Sequence, residues 1–167
     1  MISNVGVLSG AINHVVRRGY NPFQLYRIDD LCRMNRIISY LTFNGNCYEA
    51  MHFYQKCFGG ELDFQLVGES PPGKNLPDAF QRYVLQGALR NGSLELIGTD
   101  MVGNDGLMQG NTVSLLVFCK SKREVHKYFK LLATGGRIVQ PVKKNFWGLW
   151  FGTLQDRYGT HWHLQSV

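Results

Sequence analysis

Hydrophobic and polar positions along this chain follow two rhythms, and the order in which the rhythms change occurs twice. Residues 37–43 read as a strand, closed by the turn Asn44-Gly45-Asn46. The period then lengthens: Ala50, Phe53, Tyr54, Cys57 and Phe58 fall on one stripe of a helix whose start carries Asn46 and, three residues on, Glu49. Gly59-Gly60 supplies the left-handed backbone that ends it. Three strands follow, over 61–67, 82–90 and 93–98, the last two joined at Asn91-Gly92, a hairpin signal. The Pro- and Gly-containing stretch 68–78 reads as a loop long enough to cover a site.

The plan recurs from residue 112. A strand over 112–119 leads into Ser121 and Glu124, a capping box; Val125, Tyr128, Phe129 and Leu132 make the apolar stripe, and Gly135-Gly136 ends the helix. The two caps, Asn46 and Ser121, are 75 residues apart. A strand over 137–140 precedes a hairpin of 146–154 and 160–165 turning at residues 155–159. In Thr160-His161-Trp162-His163-Leu164 the two histidines share one face, and Trp162 and Leu164 the other. The expected fold is α+β: two βαβββ modules forming a curved eight-stranded mixed sheet around a cleft.

Residues 1–36 stand outside this plan and read as an N-terminal appendage to a domain over 37–167. A short helix over 9–18 stops at Gly19, and Met34 is a candidate internal start. With 44% hydrophobic and 13% aromatic residues, the chain can fill the core of one domain. The net charge of +6 divides evenly between residues 1–36 and the rest, and Arg123, Lys127 and Lys130 fall on the solvent stripe of the second helix with no aromatic residue interleaved. No nucleic-acid partner is expected from such a pattern. Four cysteines (32, 47, 57, 119) lack CxxC spacing, which gives no zinc or redox motif, and no apolar run is long enough for a membrane span. The expected setting is cytoplasmic, with no membrane partner.

Three stretches, YLTFNG at 40–45, EAMHFYQKCFGGEL at 49–62 and the spaced FWG, FG, D, YG and W of 146–162, resemble the PhnB-like branch of the vicinal oxygen chelate superfamily. That superfamily includes glyoxalase I, bleomycin-resistance proteins and extradiol dioxygenases. The resemblance implies a homodimer and, in metal-dependent members, one ligand on each of four strands. Carried onto this chain, those positions fall at about Ser39, Glu95, about Ser114 and His163. Glu95 and His163 are competent donors for a divalent metal such as Zn, Ni, Mn or Fe, whereas the serines are poor ones.

Two readings of function stay open at this point. One is a small-molecule-binding protein of undetermined ligand, metal-free or weakly metal-binding, whose cleft is lined by Tyr40, Tyr83, Gln86, Phe146, Trp147, Trp150 and His161. The other is a metal-dependent lyase, isomerase or dioxygenase acting on a vicinal-oxygen substrate, with Glu95 and His163 on the metal and His161 or Gln86 as a third ligand. No site for S-adenosylmethionine or a nucleotide is expected, because both double glycines end helices and no glycine-rich strand-to-helix turn is present.

Overall fold

The computed structural model describes residues 37–167. The expected appendage, with its helix over 9–18, His14, Cys32 and the start at Met34, lies outside the described residues. The chain divides into two compact units, one ending at Leu107, the other running from Met108 to Val167 and taking in Lys56–Phe58. The eight expected strands are present and pair as two four-stranded sheets.

The first sheet contains β1 (Ser39–Thr42), β2 (Glu61–Leu66), β3 (Val84–Asn91) and β4 (Leu94–Thr99), in the order β1-β4-β3-β2 with β1 parallel to β4. Helix α1 (Cys47–Phe58) connects β1 to β2 and packs on one face. Its buried stripe is Cys47, Ala50, Met51, Tyr54, Cys57 and Phe58. Met51 therefore takes the place the sequence reading gave to Phe53. Gly98 explains why: a Cβ there would lie 2.8 Å from the Met51 sulfur and 2.9 Å from that of Cys47, so the bare strand lets the helix approach closely.

The expected Asn46 cap is not made: its side chain forms no cap hydrogen bond. The Cys47 N–H donates instead to Asp100 Oδ1 at 2.9 Å, from just beyond β4, and the Val84 N–H donates to Asp100 Oδ2 at 2.9 Å. The hairpin also turns one residue later than expected. Asn91 pairs with Leu94, leaving Gly92 (φ 59°) and Ser93 central, the arrangement of a II′ turn with glycine first. The stretch expected as a loop over 68–78 holds two single 3-10 turns and leads into the short helix α2 (Asp78–Gln81). Buried Ser70 ties it down, its hydroxyl donating to the Val67 carbonyl and accepting from the Gly73 N–H.

The second sheet repeats the topology, with β5 (Leu115–Cys119), β6 (Arg137–Lys144), β7 (Trp150–Gln155) and β8 (His161–Ser166) in the order β5-β8-β7-β6. Helix α3 (Lys122–Leu132) covers one face through Val125, Phe129 and Leu132. Here the expected cap is made, the Glu124 N–H donating to Ser121 Oγ while the Glu124 carboxylate accepts from the Lys120 N–H. β6 is twice as long as expected and runs through Pro141; on an edge strand with two register shifts, a missing N–H is tolerated.

Cys47, Cys57 and Cys119 are all buried. Burial pushes the thiols of Cys57 and Cys119 up to about 11, and that of Cys47 up as well. A protein carrying Cys32→Ser is therefore expected to give no fast reaction with a thiol reagent until denaturant is added, when three thiols titrate. Rapid native labelling of any of the three would contradict their burial. The unfolded chain releases these protons near pH ~8.5 and the folded chain holds them, so the unfolded state binds fewer protons and stability falls as pH rises from there toward 11.

Candidate functional site

In each unit the helix covers one face of the sheet, and strand alternation decides which side chains occupy the other. Gly98 meets α1, so Leu96 and its partner Ser39 share the helix side. The helix-free face receives Tyr40 and Thr42 from β1, Glu95 and Ile97 from β4, and Gln86, Ala88 and Arg90 from β3. Ser39, a position carried over as a metal ligand, therefore points away from Glu95; Tyr40, 59% exposed, is the β1 residue on Glu95's side.

Glu95 is already engaged with a cation. Arg90 lies directly across the hairpin from it, and Arg90 Nε donates to Glu95 Oε1 at 3.2 Å. Asp63 on β2 adds a second carboxylate 3.6 Å from the same guanidinium. Gln86 is buried on this face, opposite Gln65 in the register. Tyr83 precedes β3, its ring centroid 5.6 Å from that of Phe80 and its hydroxyl facing the Gly45 turn.

In the second unit Gly152 abuts Phe129 and Val142, which fixes the helix side for Trp150, Gly152 and Leu154 and for their neighbours Trp162 and Leu164. His161 and His163 stand half-buried on the other face, as the alternation required. Thr153 is opposite His163 on β7 and Leu116 beside it on β5, and the Phe151 ring centroid lies 5.7 Å from that of His163. Gln165 and Phe118 continue the row, with Leu116 and Phe118 48% and 62% exposed. Ser114 lies one residue before β5 and is exposed.

Three aromatic residues expected in the cleft are not on the helix-free face of the second sheet. Trp150 is on the helix side of its sheet, with the His126 ring 5.8 Å away and Lys122 Nζ 4.0 Å over the indole. Phe146 and Trp147 are not in a strand. Asn145 Oδ1 accepts from the Trp147 and Leu149 N–H groups at 3.0 Å each, and Gly148 (φ 78°) completes a tight turn that leaves the two rings 95% and 77% exposed. The FWG part of the motif is thus a turn signature, with Asn145 as its first residue.

The D, YG and W of the same motif also have a structural cause. Buried Asp156 accepts from the Tyr158 and Thr160 N–H groups through Oδ1, at 2.8 and 3.0 Å, and from the Trp162 indole through Oδ2 at 2.7 Å. This carboxylate closes the β7–β8 turn, with Gly159 (φ 89°) inside it, and thereby fixes the start of β8 on which His161 and His163 are carried.

These donors do not assemble a metal site within either unit. Glu95 belongs to the first unit, where its carboxylate is paired with the Arg90 guanidinium, and His161 and His163 belong to the second with no carboxylate on their face. No group of three or more His, Cys, Asp or Glu side chains placed for a metal occurs among the described residues. Arg90, facing Glu95, is a residue the sequence reading missed. Arg90 was within reach of it, since a two-residue turn at Gly92-Ser93 sets Arg90 against Glu95.

Residues 35–165 match the family model described as 3-demethylubiquinone-9 3-methyltransferase. Protein YjdN of Escherichia coli (strain K12) is 28% identical over 138 residues, covering 77% of this chain and 92% of YjdN. Among solved structures, protein PA1353 from Pseudomonas aeruginosa is 30% identical with a TM-score of 0.71, over 80% of this chain and 98% of that one. The PhnB protein from Bacillus cereus is 27% identical with a TM-score of 0.63, over 80% and 100% of the two chains. A member of the glyoxalase/bleomycin resistance protein/dioxygenase superfamily from Sphaerobacter thermophilus shares the fold, at 17% identity and a TM-score of 0.50 over 81% of this chain and 100% of that one. The chain belongs to the family this model defines, the PhnB-like proteins of the glyoxalase/bleomycin resistance/dioxygenase superfamily.

Proposed function

We propose, starting from that membership, that this protein binds a small planar organic molecule on the helix-free face of its second sheet, with no resident metal. The observation that carries the reading is the composition of that face. His161 and His163 stand along one strand, flanked by Phe151, Thr153 and Gln165 and edged by Leu116 and Phe118. It offers ring surface and hydrogen-bonding groups with no carboxylate, and the register adds Lys143 beside Phe151, which suits a planar ligand carrying acceptor oxygens better than a cationic one. Methyl transfer, the activity in the family description, draws no support from the glycines: Gly59, Gly60 and Gly135 take positive φ where helices end, and no helix begins on them.

The test is a ligand-observed NMR screen of planar carboxylic, phenolic and quinone compounds against protein purified without chelator or histidine tag, with metal content measured on the same sample. A hit is expected to bind about tenfold more weakly to His163→Ala and to Phe151→Ala, as loss of one ring contact or hydrogen bond implies, and equally well to Glu95→Ala. About one Zn, Ni, Mn or Fe per subunit, lost in a Glu95→Ala/His163→Ala protein, would replace this reading by the metal-dependent one. Homodimer formation, which the resemblance implies, is checked on the same sample by light scattering.

A further inference from the structure

The net charge conceals a strong asymmetry. Residues 37–107 carry four Lys or Arg and eight Asp or Glu, whereas residues 108–167 carry nine and two. Both acidic residues of the second stretch are occupied, Asp156 inside its turn and Glu124 by the Lys120 N–H and the Tyr128 hydroxyl. The cations of α3, and Lys144 of β6 opposite Trp150, therefore have almost no counter-charge within this stretch of the chain.

On α3 itself Lys127 Nζ lies 5.3 Å from the Tyr128 ring centroid, and the fold brings a further ring in from β7. Lys122 Nζ lies 4.0 Å from the Trp150 ring centroid and Lys144 Nζ, from β6, 5.9 Å from the same centroid. The His126 ring is 5.8 Å away. Among the described residues no carboxylate comes within 4 Å of either ammonium group. Two like charges gathered on one indole repel each other, and a bound anion would remove that repulsion. The indole also restrains the two long side chains, so less freedom is lost when they close on a ligand.

We propose that Lys122, Lys144 and His126, arranged around Trp150, form a binding site for a doubly charged tetrahedral oxyanion, a phosphoryl or sulfate group. The site lies on the helix side of the second sheet, opposite the His161 and His163 face, and is independent of the ligand proposed there. Two ammonium groups from different elements donate to different oxygens of one anion, with the imidazole as a third donor. Sulfate and phosphoryl groups share this chemistry, and the two are separated by titrating each.

The experiment follows the indole N–H resonances of full-length ¹⁵N-labelled protein while sodium pyrophosphate, sodium sulfate or, at matched ionic strength, sodium chloride is added. The expected result is a saturable shift of the Trp150 resonance with pyrophosphate, sulfate or both, with that of Trp162 unmoved. Lys122→Ala and Lys144→Ala are each expected to weaken binding on the order of tenfold, the loss of one charge-assisted hydrogen bond. Lys122→Arg retains it, and because both lysines are exposed the rest of the spectrum should be preserved. A Trp150 response that chloride reproduces, or one that both alanine variants leave intact, overturns the site.

Discussion

Asp100→Asn is expected to destabilise the protein nearly as much as Asp100→Ala, by about 3–5 kcal/mol, lowering Tm by ~10 °C or more. Each oxygen of this buried carboxylate accepts a different backbone N–H, Cys47 at the start of α1 through Oδ1 and Val84 at the start of β3 through Oδ2. Asparagine keeps one acceptor but turns an NH₂ toward the other N–H, so a donor faces a donor where water does not reach. Alanine leaves both N–H groups without a partner. Urea unfolding of the three proteins measures the difference. An Asp100→Asn protein within ~1 kcal/mol of the parent would show that one acceptor is enough and that the second contact contributes little.

Asp156→Asn is the counterpart in the second unit, with an expected cost of about 3 kcal/mol. Two N–H donors converge on Oδ1 and the Trp162 indole donates to Oδ2, so no orientation of an amide satisfies all three. The consequence is local as well as global. Trp162 is 1% exposed and anchors β8, the strand that carries His161 and His163 on its other face. The variant should move the Trp162 indole resonance, and it should weaken any ligand held by His163 before the protein unfolds. A ligand affinity unchanged in a variant whose Trp162 resonance has shifted would detach the β7–β8 turn from the proposed site.

The two substitutions bear on why the repeated modules are alike in topology but not in detail. The first joins helix to sheet through a carboxylate contributed from the end of β4, whereas the second uses the local Ser121–Glu124 cap and spends its carboxylate on a turn. Sequence distinguishes these poorly. Ser121 and Glu124 are three residues apart and can be read directly, but Asp100 and Cys47 are separated by 53 residues, and nothing in their spacing announces the contact.

The sequence by itself determined the order β-α-β-β-β twice over, the extent of both long helices, and the division of β8 into a core face with Trp162 and Leu164 and an opposite face with His161 and His163. Periodicity and turn residues are local, and local rules were enough for these. Where turn chemistry competed with apolar content, it won: Phe146 and Trp147 look like strand residues, yet Asn145 and Gly148 fold them into an exposed turn. Tertiary structure alone decided which side of a strand faces the helix, because that depends on where Gly98 and Gly152 admit it. The same choice sent Ser39 and Trp150 away from their expected face and drew Trp150 together with Lys122 and Lys144. A period of two states that neighbours point to opposite faces; where polarity does not mark one of them as core, as it does on β8, only packing against a second layer states which face is which.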